Sequence, residues 1–324
     1  MKIGIISYQY GLSEPFIRCL KQELRVSDVM MCQRVADVAV CHENVAGIRG
    51  VASEEALMKE ADGVIVLGHD KRRFADILQV LQLEKPLLCD PWLGTRETEA
   101  WNLLADVDAS DALLIPAFPM RLSPVVANLK EIIASGKLGD IVAVHGVSNT
   151  GVTVDFSGGQ LAGDGAFANM TRHLVDTILW LLQSKVKSVF CATTNVLNQG
   201  TINESAGSVQ LVFENGVVAG MASIGSEMIP DTDDRSFSLS VVGTLGTSDI
   251  CAYGQHVEER TKARTAELHY GDEPMVLMAE EFLRLVAGED VRRLQLPRLR
   301  DCIEAERVLQ AACRSVKTGT LVNL

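Results

Sequence analysis

The sequence predicts a two-domain α/β protein, in which a parallel sheet with helices is followed by an α+β domain with a large, mostly antiparallel sheet. Up to residue 117, short β-branched runs alternate with amphipathic helical stretches, which is the rhythm of a doubly wound sheet. After residue 117, apolar runs bounded by Gly, Asn and Asp follow one another. The 324 residues also exceed what one hydrophobic core usually supports. We therefore place a Rossmann-type domain at 1–117 and an α+β domain at 118–324.

The first domain is predicted to contain five strands, at 2–7, 28–33, 63–68, 86–90 and 112–117. After the first strand, Ser13 is a suitable N-cap for a helix whose apolar residues recur every four positions. Ser53 precedes two glutamates and starts another short helix. The segment 35–46 has the composition of a strand, but it lies where a helix should follow the second strand. We predict a helix there.

The second domain is predicted to form one largely antiparallel sheet with strands at roughly 140–147, 187–195, 207–214, 217–224, 236–242 and 247–251. The Asn215-Gly216 pair between two apolar runs is typical of a tight hairpin turn. A helix is expected near 123–135, and three more should cover one face of the sheet, near 164–182, 273–287 and 297–316. A sheet with one open face commonly finds a partner. We therefore expect a homo-oligomer, either a dimer or a tetramer.

The composition argues against nucleic acid, membranes and metals as partners. A net charge of −12 repels phosphate backbones, and the only basic cluster is at 71–73. The apolar stretches are far shorter than the roughly 20 residues that a transmembrane helix needs. Eight scattered cysteines contain neither a zinc knuckle nor a redox C-x-x-C motif. We expect reduced thiols, a cytoplasmic location and a small-molecule substrate.

Four segments resemble one family in order and spacing. They are "PAFPMRLSPVVANLKEIIASGKLGDIVAVHG" (116–146), "GDGAFANMTRHLVDTILWLL" (163–182), "FENGVVAGMAS" (213–223) and "VVGTLGT" (241–247). The chain is similar in these segments to the glucose-fructose oxidoreductase, inositol dehydrogenase and MocA (Gfo/Idh/MocA) family. The resemblance implies that 1–117 binds a dinucleotide and that 118–324 binds the substrate and forms the oligomer. It also implies an NAD(P)-dependent oxidoreductase acting on a sugar, polyol or related hydroxyl compound.

The nucleotide-binding motifs depart from the family pattern. The family usually opens with G-x-G-x-x-G, where the glycines allow the pyrophosphate to approach a helix N-terminus. Here Ser7 and Gln9 occupy the first two glycine positions, and a cap at Ser13 implies a longer loop before the helix. Ser7, Tyr8 and Gln9 are expected to contribute backbone and side-chain donors. A side chain at Gln9 would crowd the usual pyrophosphate position.

The end of the second strand bears on the choice between NAD and NADP. The family often places an aspartate there for the adenosine ribose, whereas this chain has Gln33 and Arg34. An amide followed by a guanidinium suits a 2′-phosphate and favours NADP over NAD. The alternative is that both are ordinary exposed residues.

The segment "GHDKRRF" follows the third strand of the first domain. His69, Asp70 and Arg73 are expected to line the cofactor edge. The alternative for the basic triplet is a solvated helix face.

The family motif E-K-P, whose lysine reaches the substrate, falls at 89–92 when it is aligned on the neighbouring elements. Its lysine then becomes Pro91, and Asp90 is a candidate carboxylate at the cofactor edge. The literal Glu84-Lys85-Pro86 is a coincidence in this alignment, because choosing it would delete the strand that follows. Proline cannot replace lysine as an acid, a base or a donor.

The catalytic positions fall on the helix near 164–182. The resemblance places His173 at the family histidine, four residues after Asn169, which replaces the family aspartate. This spacing puts both side chains on one helix face, which we expect to point into the cleft between the domains. An imidazole suits proton transfer from a hydroxyl near neutral pH, and Asn169 can orient a substrate. The alternative for His173 is a purely structural role.

Two arginines are candidates for binding the substrate. Arg172 flanks the histidine and is expected to meet an anionic group. Arg121, at the start of the second domain, either binds a substrate oxygen or fastens the domain junction.

The sequence leaves two main functions open. The first is the dehydrogenase with His173 as acid and base. The second is a non-enzymatic small-molecule-binding or regulatory relative, which the rewritten motifs favour. A third possibility, elimination with a tightly held cofactor, has less support.

Overall fold

The structure is a computed structural model that describes residues 1–8, 10–35, 38–40, 47–68, 72–91, 102–105, 114–150, 166–196, 204–225, 236–261, 265–269, 271, 273–292 and 295–324. In a few of these ranges, including 10–15 and 34–35, only the backbone is described. The chain divides into two compact units. The first contains Met1–Pro119 and Met275–Ile303, and the second contains Met120–Pro274 and Glu304–Leu324.

In the part of the chain that the structure describes, the first unit contains a sheet of seven strands: β1 (Lys2–Ser7), β2 (Asp28–Val35), β3 (Val38–Val40), β4 (Arg49–Gly50), β5 (Gly63–Leu67), β6 (Leu87–Cys89) and β7 (Leu114–Pro116). The strands lie in the order β3-β2-β1-β5-β6-β7, and β4 also pairs with β2. All of these pairs are parallel except that between β2 and β3. The direction of winding changes between β1 and β5, as in a doubly wound fold. The predicted parallel sheet is confirmed.

The helices of this sheet are α1 (Tyr10–Gln22), α2 (Glu54–Glu60) and α3 (Arg73–Gln82). Ser53 caps α2 as predicted, since its hydroxyl accepts a hydrogen bond from Ala56 N at 3.2 Å. The predicted cap at Ser13 is wrong, because α1 already begins at Tyr10. The connection from β1 to α1 is therefore short, and the expected longer loop does not exist.

The helix predicted over 35–46 is also wrong where the structure describes it. Val38–Val40 form strand β3, which pairs antiparallel with β2 and places Val40 opposite Gln33. The β-branched alternation of this segment outweighs the helix expected from topology. Residues 36–37 and 41–46 lie outside the described part of the chain.

Among the described residues, the second unit contains nine strands in one sheet: β8 (Ile141–Thr150), β9 (Val186–Thr194), β10 (Ala206–Phe213), β11 (Val218–Gly225), β12 (Ser236–Gly243), β13 (Gly246–Cys251), β14 (His256–Thr261), β15 (Thr265–His269) and β16 (Val322–Asn323). Their order is β15-β14-β13-β12-β8-β11-β10-β9-β16, and β8 and β11 are the parallel pair. The hairpin at Asn215-Gly216 is confirmed, with Gly216 at φ 86° in the turn between β10 and β11. A mostly antiparallel sheet is therefore confirmed for this unit.

Three helices belong wholly or mainly to the second unit: α4 (Pro124–Ala134), α5 (Ala166–Leu182) and α7 (Leu299–Thr318). Helix α5 packs on β8, β10 and β11. The opposite face of the sheet exposes the apolar side chains of Val147, Phe190, Val218 and Ile224. None of the described helices combines the length and apolarity needed to cross a membrane.

Helix α6 (Pro274–Val286) was predicted on the second sheet but packs in the first unit. A side-chain carbon built at Gly63 of β5 would lie 2.5 Å from Val286 Cγ2 and 3.0 Å from Phe282 Cζ. The glycine therefore allows the helix to approach the parallel sheet closely. A chain segment that follows the second sheet returns to the first, which the order of elements along the chain does not reveal.

Lys85 closes the end of helix α2. Its ammonium donates to the carbonyl oxygens of Met58, Lys59 and Ala61 at 2.6, 3.0 and 2.5 Å. Desolvation lowers the pKa of this ammonium, with Asp62 opposing the shift. Lys85 has this structural role in the protein, which agrees with the alignment that rejected Glu84-Lys85-Pro86 as the family motif.

Replacing Lys85 with Met should lower the free energy of unfolding by about 1–3 kcal/mol, because the last carbonyls of α2 lose their donors. The matched control is Lys59→Met, which removes an exposed ammonium from the same helix. Urea unfolding of both variants measures the difference. Equal stability of the two variants would contradict the capping role.

Candidate functional site

The carboxyl ends of β1, β2, β5 and β6 meet at one edge of the first sheet because these strands are parallel. Ser7 is in register with Gln33 on one side and with Leu67 on the other. This edge, next to the change in winding direction, is where open α/β sheets bind ligands. The residues predicted to bind a cofactor follow these strand ends. Gln9, His69 and Asp70 lie outside the described residues, and only the backbone of Arg34 is described.

The turn after β1 is held by main-chain and side-chain bonds. Ser7 is fully buried, and Tyr8 N donates to Leu67 O at 2.9 Å. The Tyr8 hydroxyl donates to a carboxylate oxygen of Asp76, and the Arg72 guanidinium lies 5.6 Å from the centre of the tyrosine ring. The Tyr8 side chain is thus bound to α3 through Asp76. Because α1 begins two residues later, its unsatisfied first-turn N–H groups face the same edge and suit an anion.

Gln33 is the buried polar group at the end of β2. Its side chain is 5% exposed, and its Oε1 has no hydrogen-bond partner among the residues that the structure describes. An amide oxygen in this situation lacks a donor and is costly to bury. The position therefore fits a ligand that brings a hydroxyl donor, such as a ribose. The alternative that Gln33 is an ordinary exposed residue is wrong.

Arg73 and Asp90 join the ends of β5 and β6. Arg73 is 1% exposed, donates to Gly68 O at 3.0 Å and lies 3.6 Å from an Asp90 carboxylate oxygen. Arg73 therefore does not lie on a solvated helix face. Its guanidinium is not exposed at the cofactor edge either. Asp90 is likewise engaged by Arg73 and is buried. Burial raises the pKa of the neighbouring Cys89 thiol to about 12, so this cysteine stays protonated.

In the second unit, His173 is a partly exposed residue in a mostly buried segment of helix α5. Between Phe167 and Ile178, every side chain is buried except those of Met170 and His173. Asn169 is 6% exposed and precedes His173 by one turn. The three residues Asn169, Met170 and His173 share one helix face. Asn169 and His173 therefore lie on the same helix face, as their spacing predicts.

Arg121 fastens helix α5 to the start of the second unit. Its Nε and Nη2 donate to the two carboxylate oxygens of Asp176 at 2.8 and 2.5 Å. Both side chains are at most 4% exposed. This geometry supports fastening rather than contact with a substrate oxygen. Asp176 lies three residues after His173, so the ion pair acts on the part of the helix that carries the histidine.

Arg172 is also engaged by a carboxylate. It is 2% exposed, and its Nη2 lies 3.4 Å from Glu306 Oε2 on α7. The expected contact with an anionic substrate is therefore not supported, because the guanidinium is buried and already paired. A second bond holds the same turn of α5, from the hydroxyl of Thr171 to that of Ser223 at 3.0 Å.

Two of the carboxylates that decide these roles, Asp76 and Glu306, were not found from the sequence. Asp76 is 68 residues from Tyr8, and Glu306 is 134 residues from Arg172. No local motif marks such pairs. Within the described ranges, no group of three or more His, Cys, Asp or Glu residues is arranged to hold a metal ion.

Comparison with known proteins identifies the class of this fold. The family model described as the GFO/IDH/MocA C-terminal domain matches residues 126–249. This match covers the segment from α4 to β13, which includes α5 and most of the second sheet. Residues 126–249 therefore resemble the C-terminal domain of the Gfo/Idh/MocA family.

Individual relatives agree with this assignment. The chain is 26% identical over 129 residues to inositol 2-dehydrogenase 1 of Saccharopolyspora erythraea, covering 40% of this chain and 37% of the relative. It is 22% identical over 190 residues to inositol 2-dehydrogenase of Rubrobacter xylanophilus, covering 58% and 53%. The matches thus span about half or less of these relatives.

Solved structures extend the likeness of the fold to the whole chain. An inositol dehydrogenase homolog from Azotobacter vinelandii, complexed with NADH and myo-inositol, has a TM-score of 0.79 at 12% identity. The comparison covers 100% of this chain and 97% of that one.

Replacing Asp176 with Asn should lower the free energy of unfolding by about 3–5 kcal/mol, because the Arg121 guanidinium stays buried without its counter-charge. The double variant Arg121→Met with Asp176→Leu should lose less stability than the single variants Arg121→Met and Asp176→Leu lose together. Guanidinium unfolding followed by circular dichroism measures these four variants. Asp140→Asn, an exposed carboxylate of the same unit, is the control, and an Asp176→Asn variant as stable as this control would refute the fastening role.

Proposed function

We propose that the protein is an NAD(P)-dependent oxidoreductase that acts on a sugar, a polyol or a related hydroxyl compound. The observation that carries this proposal is the partly exposed His173 beside Asn169 on a helix segment whose other side chains are nearly all buried. The named activities of the relatives and the NADH and myo-inositol complex of the structural neighbour support the same class of chemistry.

The cofactor site is assigned to the carboxyl edge of the first sheet. The bound dinucleotide supplies the hydride acceptor or donor. The first-turn N–H groups of α1, which follow the turn at Ser7 and Tyr8, hold the pyrophosphate without the usual glycines. Gln33 Oε1 accepts from the ribose. Gln33 and Arg34 place no carboxylate at this strand end, so a 2′-phosphate is not repelled and NADP is favoured over NAD.

Proton transfer is assigned to His173. Its imidazole accepts the proton of the substrate hydroxyl as a hydride leaves the carbon that bears this hydroxyl. In the reverse reaction it returns the proton. The Asn169 amide orients the substrate through hydrogen bonds. Pro91 occupies the position of the family lysine, so this position supplies no ammonium group. Arg121 and Arg172 hold α5 in place and do not bind the substrate in this proposal.

The open face of the second sheet is assigned to self-association. Val147, Phe190, Val218 and Ile224 form an exposed apolar surface there, and a second copy would remove it from water. The described cysteines are all free thiols, which suits the proposed cytoplasmic location.

A second candidate function is a binding or regulatory relative without turnover. The specific observation in its favour is that the buried guanidinium groups of Arg73, Arg121 and Arg172 are all engaged by carboxylates of the chain itself. Together with Pro91, this leaves the candidate site with few groups for stabilising a transition state.

Substitution of His173 by Gln should lower kcat for any polyol that the wild-type protein oxidises by roughly 10²–10⁴-fold, because the proton acceptor is lost. Affinity for the dinucleotide should be unchanged. The control is His145→Gln, an exposed histidine on the open face of the second sheet. Absorbance at the reduced nicotinamide band measures turnover. Full activity of the His173→Gln variant would show that another group moves the proton.

Substitution of Gln33 by Leu should weaken dinucleotide binding by about tenfold, because the ribose loses its acceptor. Gln210→Leu changes an exposed glutamine on the second sheet and should leave affinity unaltered. Quenching of tryptophan fluorescence by NADPH measures both variants. If the Gln33→Leu variant binds as tightly as wild type, Gln33 does not contact the ribose.

A further inference from the structure

A cavity of about 270 Å³ lies between the end of strand β9 and the last turns of helix α7. None of its residues has a role in the proposed dehydrogenase site. Six side chains supply its chemistry: Thr193, Thr194, Asn195, Glu204, Cys313 and Lys317. The cavity therefore combines hydroxyl, amide, carboxylate, thiol and ammonium groups in a small volume.

One wall of the cavity is a strand edge. Strand β16 pairs with β9 only at Ser188 and Val189. Beyond this point the outward N–H of Cys191 donates to the Ser315 hydroxyl of α7 at 2.9 Å. Alternate residues of a strand direct their main-chain groups to the same side, so those of Thr193 face this edge as well. The edge thus adds main-chain donors and acceptors to the cavity wall.

Glu204 contributes a carboxylate oxygen that lacks a donor. The N–H of the following Ser205 donates to Thr194 O at 2.9 Å, which holds Glu204 beside the end of β9. Its Oε2 is buried and has no hydrogen-bond partner among the described residues. A buried carboxylate oxygen without a donor is costly. This oxygen therefore suits a ligand that brings a cationic donor.

Lys317 provides the opposite charge on another wall of the same cavity. Its ammonium makes no ion pair with any residue that the structure describes. Both charges affect the pKa of the Cys313 thiol. Burial, together with the carboxylates of Glu204 and Glu306, raises its pKa to about 11, while the Lys317 ammonium and the Arg172 guanidinium oppose this shift. One carboxylate and one ammonium are thus both close to this thiol.

We propose that this cavity binds a small zwitterion, an α-amino acid, whose ammonium contacts Glu204 and whose carboxylate contacts Lys317. The threonine hydroxyls and the free strand edge then satisfy the remaining polar atoms of the ligand. A molecule with only one charge leaves the other wall of the cavity unmatched.

Calorimetric titration of the full chain with L-serine tests the proposal. We expect one site per chain. Ethanolamine, which has the ammonium without the carboxylate, and L-lactate, which has the carboxylate without the ammonium, should each bind at least about tenfold more weakly. Absence of saturable binding of L-serine up to about 10 mM would overturn the proposal. Ethanolamine or L-lactate binding as tightly as L-serine would overturn it as well.

Matched variants locate the site. Glu204→Gln and Lys317→Gln should each weaken L-serine binding by about tenfold or more, since each removes one charge contact. Glu214→Gln and Lys187→Gln change exposed residues of the same sheet outside the cavity and should bind L-serine like wild type. Unchanged binding by both cavity variants would refute the assignment. If Glu204→Gln does not fold, Lys317→Gln and the comparison of the three ligands on the wild-type protein decide the question.

Discussion

The buried ion pair between Arg121 and Asp176 is the constraint on which the candidate catalytic helix depends. Two parallel hydrogen bonds fix the guanidinium and the carboxylate in one geometry, and both groups are removed from water. Neither can leave the pair without exposing the other to an uncompensated burial cost. Helix α5 is therefore held in one position at the point where it presents His173.

The same principle recurs wherever a guanidinium is buried in the described chain. Arg73 meets Asp90 at the ends of two parallel strands, and Arg172 meets Glu306 on helix α7. In each case a carboxylate of the protein neutralises the positive charge, and the ion pair joins two separate elements. A site built in this way holds its residues rigidly but offers few free cations. The chemistry of the proposed dehydrogenase therefore rests on His173, Asn169 and the cofactor itself.

Much of the fold was predictable because its elements carry strong local signals. The strands of both sheets alternate or run apolar in the expected way, and the Asn215-Gly216 turn specifies its hairpin directly. Strands β14 and β15 were not predicted. Their sequences, HVEERT and TAELH, are rich in charged and polar residues, so they lack the apolar pattern of the central strands. The start of α1 was placed too late because Ser13 resembles a cap while lying inside the helix.

The site was less predictable because the role of a charged side chain depends on its tertiary partners. Arg73 and Arg172 were candidates for binding an anion, and Arg121 was a candidate for either substrate binding or fastening. Nothing adjacent in the sequence indicates which carboxylates they pair with. His173 and Asn169 were found because their spacing lies within one helix and reports a shared face. Gln33 was found because it lies near the end of a strand whose position in the sheet was predicted. Local spacing thus revealed the residues on regular elements, while contacts between distant segments remained hidden.

The central claim is that the carboxyl edge of the first sheet still binds a nicotinamide dinucleotide without the glycine-rich turn. Calorimetric titration of the cofactor-stripped protein with NADPH and with NADH measures this directly. Binding of NADPH at a dissociation constant near or below about 10 μM, tighter than that of NADH, is the predicted result. No binding of either dinucleotide up to about 1 mM would contradict the claim and favour a relative that uses this fold without redox chemistry.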